Sequence, residues 1–220
     1  MMGPQVMGPQ VMGPQEFARL ADVSRETVEK FQIYLELLEK WQSRYNLVGV
    51  TTLVDPWRRH FLDSAQILMC LAEEGPARAA QSWLDLGSGA GFPGLVLALM
   101  GAGEVHLAES NGKKCAFLRQ VIRSTGAKAT VHQGRIENLG LPPVDVITSR
   151  ALASISEILT LGEKFCRGDT EYWLLKGAAV QRELTEASKY WKLDWRFFRS
   201  VTDDFGAVLR LRECKRVDQA

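Results

Sequence analysis

A glycine-rich segment, residues 85–94, is the part of this sequence best suited to hold a ligand. It reads Asp-Leu-Gly-Ser-Gly-Ala-Gly-Phe-Pro-Gly and lies between two apolar runs, 82–84 and 95–99. Glycine is favoured where a backbone turns at positive φ or lies directly against a ligand, and the free N–H groups of a helix N-terminus bind anionic groups. The segment therefore predicts a strand, a glycine turn and a helix start that bind a nucleotide-like molecule.

The spacing of the glycines favours one class of cofactor. Gly87, Gly89 and Gly91 form a Gly-x-Gly-x-Gly pattern, whereas a dinucleotide fingerprint needs its third glycine at the position that Phe92 occupies. Glu109 ends the next apolar run, where a carboxylate can accept hydrogen bonds from both ribose hydroxyls. This pattern is typical of proteins that bind S-adenosylmethionine (SAM), and an NAD dehydrogenase is disfavoured.

Further candidates lie at the ends of the predicted strands, because open α/β sheets bind ligands beyond the carboxyl ends of their strands. Arg135 follows the third strand, where many SAM enzymes carry an Asp that accepts from the adenine amino group. An arginine cannot accept a hydrogen bond. We therefore assign that contact to Glu137 and assign adenine N1 to the backbone N–H of Ile136. Arg150 and Lys176 end the fourth and fifth predicted strands.

The basic residues suggest a local binding surface for phosphate groups. The formal net charge is +1, which gives no overall attraction to nucleic acid, so any RNA binding depends on a local patch. Lys113 and Lys114 begin the helix predicted after Glu109. Together with Arg150 and Lys176 they would form a cationic rim.

The elements that must position these residues follow an alternating pattern. From residue 82 to residue 190 strands and helices alternate, which predicts a parallel sheet with helices on both faces. Two runs, 194–201 and 207–213, follow without a helix between them and predict a terminal antiparallel hairpin. The predicted fold is α/β, a seven-stranded Rossmann-like sheet of the class I SAM-methyltransferase type, over residues 81–220.

An N-terminal helical extension is predicted over residues 16–80. One amphipathic helix spans residues 24–44, and Asp55 and Pro56 open a second that runs to a Gly-Pro stop at residues 75 and 76. On the second helix, His60 shares a face with Asp63 beside Arg59. A structural histidine at a domain junction and a substrate contact explain this cluster equally well.

Composition places the chain among cytoplasmic globular proteins. Hydrophobic residues make up 46%, enough for a sizeable core, and the four cysteines form no Cys-x-x-Cys pair, so we expect free thiols in a reducing compartment. No run has the length of a membrane span, and no signal pattern opens the chain. Residues 1–15 repeat Met-Gly-Pro-Gln and predict a disordered segment.

Several motifs together resemble one family, the bacterial 16S rRNA (guanine-N7)-methyltransferases known as RsmG or GidB. They occur in order over residues 41–177, and the Gly-Phe-Pro-Gly ending and the helix motif with His60 are the most specific of them. The matching residues are Trp41, Tyr45-Asn46-Leu47, Arg59-His60-Phe61-Leu62-Asp63-Ser64, residues 85–94, Glu109-Ser110-Asn111-Gly112-Lys113-Lys114 with Phe117-Leu118, Arg135-Ile136-Glu137, Ser149-Arg150-Ala151 and Lys176-Gly177.

The resemblance implies methyl transfer from SAM to guanine N7 in small-subunit rRNA, either as RNA or within the 30S subunit, by a monomer without metal or membrane partners. The resemblance carries over Gly87, Phe92, Ile136, Glu137 and Arg150 as cofactor contacts, with Glu109 at the ribose, and we add Gly89 of the glycine turn. Because the guanine edge attracts Arg and Lys donors, we expect Arg150 and Lys176 to be catalytic, near O6 or a flanking phosphate. We expect the RNA to contact Asn46, Arg59, His60, Lys113 and Lys114.

The resemblance weakens after Lys176. The family usually begins its last strand with a Glu-Arg-His-Leu-like sequence, where this chain reads Phe-Gly-Ala-Val-Leu from Phe205, and Val48 stands where the family usually has Thr. Two other functions stay open at this point. One is a class I methyltransferase acting on a small molecule or a protein, and the other is a SAM-binding regulatory module without catalysis.

Overall fold

A single mixed sheet of seven strands forms the centre of the molecule. The computed structural model describes residues 11–75 and 82–217, and the strand order is β3-β2-β1-β4-β5-β7-β6. Strands β1 to β5 are parallel, whereas β7 runs antiparallel to both β5 and β6. The predicted sheet and terminal hairpin are confirmed. The strands are β1 Ser82–Leu86, β2 Glu104–Glu109, β3 Ala129–Gln133, β4 Val144–Arg150, β5 Cys166–Lys176, β6 Trp191–Arg199 and β7 Ala207–Arg216.

Helices cover the sheet on both faces and divide the core into two apolar clusters. One cluster joins the N-terminal helices, α4 and α5 to the sheet, and the other joins α6 and α7 to the opposite face. Because both faces are covered, even the polar Asp85, Thr148 and Ser149 of the central strands are buried. The α-helices are α1 Pro14–Ala21, α2 Arg25–Gln42, α3 Asp63–Glu73, α4 Gly94–Leu99, α5 Gly112–Thr125, α6 Ile155–Gly162 and α7 Val180–Ala187.

Side-chain caps fix the starts of three helices. The Ser24 side chain accepts a hydrogen bond from the Thr27 N–H, and the Asn111 side chain accepts from two backbone N–H groups of α5. Ser154 and Glu157 form a reciprocal capping box at α6. Each cap satisfies N–H groups that have no partner within the helix, so these residues determine where the helices begin.

The N-terminal segment differs from the sequence prediction. Residues 1–10 of the repeat lie outside the described residues, but the last five residues of the predicted disordered segment are ordered. Met12 is buried, its N–H donates to Asp55 Oδ1 at 3.2 Å, and α1 begins at Pro14. Phe17 on α1 is also fully buried. Packing of Met12 and Phe17 against the core supplies the apolar burial that offsets the entropy cost of ordering.

The second predicted helix begins in an unusual conformation. Residues Trp57–Leu62 form a π-helical turn that continues directly into α3, and Asp55 Oδ1 accepts from the Arg58 N–H at 3.3 Å. The predicted capping role of Asp55 is thus confirmed. Wide π-helical turns within helices are frequent at functional sites, and this one carries Arg59 and His60.

The structure also shows the state of the cysteines. All four cysteines are free. Among residues 11–75 and 82–217, no helix is both long and apolar enough to cross a membrane, and no three His, Cys, Asp or Glu side chains are grouped so that they could hold a metal ion.

Candidate active site

The glycine turn after β1 adopts the conformation that its sequence predicts. Gly87, Gly89 and Gly91 have φ values of 68°, 58° and 96°, a region where side chains other than glycine are strained. At the end of β1, Asp85 Oδ2 accepts from the Gly94 N–H at 3.2 Å. The Asp85 carboxylate therefore bridges the strand and the start of α4, and holds the turn between them.

Asp85 is the first residue of the glycine-rich segment, and its role in holding the turn was not predicted from the sequence. It is fully buried, and Thr148 Oγ1 donates to its Oδ1 at 3.0 Å. Burial raises the pKa of Asp85 to about 6, against hydrogen bonds from Ser88, Thr148 and Gly94 that lower it. Its position two residues before the first glycine was the only sequence signal for this role.

Glu109 at the end of β2 holds the other side of the turn. Its Oε2 accepts from the Gly89 N–H at 2.9 Å, and its Oε1 accepts from the Asn111 N–H at 2.7 Å. Each carboxylate oxygen has a second lone pair. Glu109 can thus fix the turn and still accept hydrogen bonds from a ribose.

A cavity of about 340 Å³ adjoins this carboxylate. A Cβ added at Gly89 would have only the Gly87 carbonyl oxygen within 4 Å, at 3.8 Å, so the backbone there is open to a ligand. Lys164 Nζ donates to the Glu137 carbonyl at 2.7 Å and holds the far wall. The residues present fit a nucleoside. The lining includes five of the predicted cofactor contacts, Gly87, Gly89, Glu109, Ile136 and Glu137.

A second cavity, of about 730 Å³, lies beside the first. Leu152 lines both cavities. A Cβ added at Gly87 would lie 2.6 Å from Leu152 Cδ1, so this side chain packs directly on the glycine turn. Gly87, Gly89, Lys114 and Ala151 also line both cavities. A ligand in the smaller cavity can therefore present a group to the larger one across this shared boundary.

Arg150, at the end of β4, lies in the wall of the larger cavity. Its Nη1 donates to the Arg59 carbonyl and to Asp63 Oδ2, both at 3.1 Å, and its Nη2 donates to His60 Nδ1 at 3.1 Å. The guanidinium carbon lies 5.0 Å from the centroid of the Phe92 ring. These hydrogen bonds use three of the five N–H groups of the guanidinium.

The hydrogen bonds around His60 show which of its ring nitrogens carries a hydrogen. Thr52 Oγ1 lies 2.8 Å from His60 Nε2 and donates its own hydrogen to the Gly49 carbonyl, so Nε2 carries a hydrogen and Nδ1 accepts from Arg150. Burial, followed by the charges of Arg150 and Arg59, lowers the pKa of His60 to about 3. The imidazole is neutral at physiological pH, and both ring nitrogens are engaged.

Phe92 joins the π-helical turn to the glycine turn. Its ring stacks on Tyr34 at a centroid distance of 5.3 Å and on His60 at 4.7 Å. The Tyr34 hydroxyl donates to the Ala90 carbonyl within the glycine turn. Phe92 was predicted to contact the cofactor. It lines the larger cavity, and its ring is only 4% exposed.

Lys176, at the end of β5, also lines the larger cavity. Its ammonium donates to the Ala153 carbonyl and to Glu183 Oε2, both at 2.7 Å. Glu183 Oε2 also accepts from the Ile155 N–H at 3.1 Å. Lys176 thus anchors the segment that carries Leu152.

The predicted RNA contacts divide into two groups. Lys114 lines both cavities, and Arg59 lines the larger one with its Nη1 at 3.2 Å from Asp203 Oδ2. Lys113 and Asn46 are exposed and line neither of these two cavities. Lys113 instead places its ammonium 5.0 Å from the centroid of the Tyr45 ring.

The turn between β6 and β7 is a part of the site that sequence reasoning missed. Asp63 Oδ1 accepts from Thr202 Oγ1 at 2.7 Å, and Ser200, Asp203 and Gly206 line the larger cavity. The Thr-Asp-Asp-Phe-Gly composition of residues 202–206 predicted a turn. No local pattern indicated that this turn returns to the start of α3.

Comparison with solved structures supports the fold assignment. An MtNAS structure in complex with S-adenosylmethionine superposes with a TM-score of 0.55, at 14% identity, over 91% of this chain and 84% of that chain. A chain of the fibrillarin/Nop5p complex gives a TM-score of 0.52, at 16% identity, over 70% of this chain and 84% of that chain. At these identities the similarity is one of fold.

Comparison of amino-acid sequences identifies a family as well as a fold. The model of the GidB family, rRNA small subunit methyltransferase G, matches residues 27–204. Ribosomal RNA small subunit methyltransferase G of Rhodospirillum rubrum is 50% identical over 91% of this chain and 97% of its own length. The protein of that name from Paramagnetospirillum magneticum is 47% identical over 91% of this chain and 96% of its own length. The chain therefore belongs to the GidB family of rRNA small subunit methyltransferases and is a SAM-dependent enzyme, as its motifs predicted.

Proposed function

We propose that this chain methylates N7 of a guanine in small-subunit rRNA. The relatives are named for small-subunit rRNA, and the observation that carries the proposal is the shared boundary of the two cavities, with Arg150 in the wall of the larger one. SAM, when bound, supplies an electrophilic methyl group on a sulfonium. Its proposed contacts are Gly87, Gly89, Phe92, Glu109, Ile136, Glu137 and Arg150.

The chemistry of N7 matches the state of the ionisable groups in the larger cavity. Guanine N7 has a free lone pair and no proton, so its methylation requires no general base. Both nitrogens of His60 are engaged, and Asp63, Glu183 and Asp203 each accept hydrogen bonds from other side chains or from the backbone. Such a cavity is suited to orienting a nucleophile rather than to removing a proton.

Arg150 is the residue that we propose orients the guanine. The guanidinium has N–H groups beyond the three engaged in the network, and these can donate to guanine O6 or to a flanking phosphate. Asp63 balances its charge, so the cavity wall does not repel a cationic cofactor. Alignment of reacting groups can contribute on the order of 7–11 kcal/mol to lowering the barrier.

Lys176, at the end of the neighbouring strand β5, contributes to the same cavity in this proposal. Its ammonium makes two hydrogen bonds to the protein and has one further N–H. That N–H would donate to O6 or to a phosphate, while the other two position the segment with Leu152.

The substrate must present an unstacked guanine, because N7 has to reach the boundary between the cavities. Arg59, His60 and Lys114 lie at the cavity that would receive the base, and we assign Lys113 and Asn46 to RNA further from it. In this proposal the chain acts as a monomer in the cytoplasm, on rRNA or on the 30S subunit.

The test uses labelled SAM with small subunits and with naked small-subunit rRNA. We expect label in the RNA and strand cleavage at one guanine under N7-specific chemistry. Arg150→Ala should lose turnover and also bind SAM more weakly, whereas Arg123→Ala, on an exposed position of α5, should leave both unchanged. Absence of label, or label that resists N7-specific cleavage, would contradict the proposal.

A further inference from the structure

The turn between β6 and β7 presents an aromatic side chain beside the larger cavity. Phe205 is 76% exposed, the highest value among the exposed large hydrophobic residues of the described chain. The cavity is lined on this side by Ser200, Asp203 and Gly206, which flank Phe205 in the same turn. A single exposed apolar residue needs no explanation by itself, so the conformation of the turn is the more informative observation.

The backbone around Phe205 is held by hydrogen bonds rather than by packing of its ring. Asp203 Oδ1 accepts from the Phe205 N–H at 2.9 Å, and the Gly206 N–H donates to the Asp203 carbonyl at 3.0 Å. The Asp203 carboxylate also binds Arg59 at 3.2 Å. The contacts within the turn and to Arg59 therefore order Phe205 while its ring faces solvent.

Helix α3 fixes the other half of the turn. Thr202 Oγ1 donates to Asp63 Oδ1 at 2.7 Å, and the Val201 N–H donates to Gln66 Oε1 at 3.1 Å. Gln66 Nε2 also donates to Ser200 Oγ at 3.3 Å. Asp63 is the residue that binds Arg150, so the turn with Phe205 is connected to the proposed guanine-orienting residue through one carboxylate.

The charge of the surroundings indicates the occupant. The exposed Arg199 precedes the turn, and the partly exposed Arg59 contacts it from the π-helical turn. Asp203, which is paired with Arg59, and the exposed Asp204 lie in the same turn. An exposed aromatic ring held by its backbone, with arginines at its turn, matches a single-stranded nucleic acid, whose bases stack on aromatic rings while its phosphates bind Arg. A guanine that leaves its stack also leaves the face of a neighbouring base uncovered.

We propose that Phe205 stacks on a nucleotide next to the target guanine and thereby stabilises the RNA conformation in which that guanine enters the larger cavity. This inference rests on the proposed function, because the nucleotide belongs to the same RNA. Phe205 is a positioning residue here, since its ring contacts the flanking base and not the reacting atoms.

The test compares substitutions at Phe205 in steady-state methylation of small subunits and of naked small-subunit rRNA. Phe205→Leu removes the aromatic face on which the base would stack, and loss of such stacking should lower kcat/KM for RNA by roughly 5- to 100-fold. Phe205→Tyr and Phe205→Trp keep an aromatic face and should restore most of the activity. The SAM dissociation constant and the melting temperature should stay unchanged in all three variants.

Tyr190 provides a matched control. It is 51% exposed and directly precedes β6, at the opposite end of the β6–β7 hairpin from the turn that carries Phe205. Tyr190→Leu also removes an exposed aromatic ring, and we expect it to leave kcat/KM for RNA unchanged.

A photoreactive benzoylphenylalanine at position 205 identifies the contact directly. Crosslinks to small-subunit rRNA support base stacking, whereas crosslinks to ribosomal protein alone overturn it in favour of a protein contact. Equal kcat/KM for Phe205→Leu and the wild type also overturns the inference and leaves the proposed function standing. A wild-type chain that labels no small-subunit RNA overturns both.

Discussion

Arg150 donates a hydrogen bond to Asp63 Oδ2 at 3.1 Å, although the two residues are 87 positions apart in the sequence. Arg150 ends β4 and Asp63 begins α3, so the contact connects the sheet to the N-terminal helices. The other Asp63 oxygen accepts from Thr202 in the turn between β6 and β7. Three separate parts of the chain therefore meet at one carboxylate, and the N-terminal helices form a wall of the site.

Loss of this carboxylate should affect stability and catalysis together. In Asp63→Ala, Arg150 and Thr202 both lose a partner at a mostly buried position, and we expect a loss of about 1–3 kcal/mol in the free energy of unfolding. Turnover should fall because the guanidinium is no longer fixed. Urea unfolding and methylation assays measure the two effects. Glu186→Ala, which removes an exposed ion pair with Lys189, is the control and should change neither. Unchanged turnover in Asp63→Ala would show that Arg150 does not depend on Asp63.

Gly87 and Gly126 form a matched pair for testing the glycine turn. Both have φ of 68°, so substitution by alanine strains each backbone by a similar amount, about 1 kcal/mol. Space around Gly126 is open, whereas a Cβ at Gly87 would displace Leu152 at the boundary of the two cavities. We expect Gly87→Ala to weaken SAM binding by at least about tenfold and Gly126→Ala to leave it unchanged. Calorimetric titration measures both. Equal affinities would place the cofactor away from Gly87.

The neutral state of His60 predicts a pH dependence of stability. The folded-state pKa of about 3 lies below the ordinary value of 6.5, so the unfolded chain binds a proton that the folded chain does not. The contribution of His60 to stability is therefore complete above about pH 6.5 and is lost as pH falls, with a slope of at most about 1.4 kcal/mol per pH unit. Asp85 opposes this trend, because its pKa is raised to about 6 and it binds a proton more readily in the folded state.

Comparison of the wild type with His60→Gln isolates the contribution of His60 to the pH dependence of stability. The free energy of urea unfolding of the wild type minus that of His60→Gln should increase with pH between about pH 5 and pH 7, because Asp85 titrates in both proteins and only the wild type contains the titrating imidazole. NMR of the ring should show His60 neutral throughout this range. An imidazole that titrates near its ordinary pKa would contradict the assigned hydrogen bonds to Thr52 and Arg150.

Substitutions at Phe92 and Phe205 compare a phenylalanine that packs in the core with one that we propose contacts RNA. Phe92 is 4% exposed and stacks between Tyr34 and His60, so Phe92→Ala should cost about 3–5 kcal/mol in the free energy of unfolding. Phe205, which is exposed, should give almost no change in stability on substitution by alanine. Thermal and urea unfolding measure the difference. Similar losses for the two variants would mean that Phe205 packs on the protein.

The class of fold and the cofactor turn could be predicted from the sequence, because both depend on short-range patterns. Alternation of apolar runs predicted the strands and the hairpin, and the glycines from Gly87 to Gly91 predicted the positive φ values that the turn adopts. The end of a strand also marks where a ligand binds, which brought Arg150 and Lys176 to attention.

The partners of these residues could be seen only in the folded chain. The hydrogen bonds of Arg150 to Asp63 and His60 cross from β4 to the N-terminal helices, and no local periodicity encodes such a contact. For the same reason the sequence did not reveal the order of residues 11–15, which depends on the burial of Met12 against elements far along the chain. The sequence also did not show that the turn between β6 and β7, which carries Phe205, lies beside the larger cavity. Local sequence determines backbone conformation within a few residues, whereas the partners of a charged or exposed side chain are set by packing of distant segments.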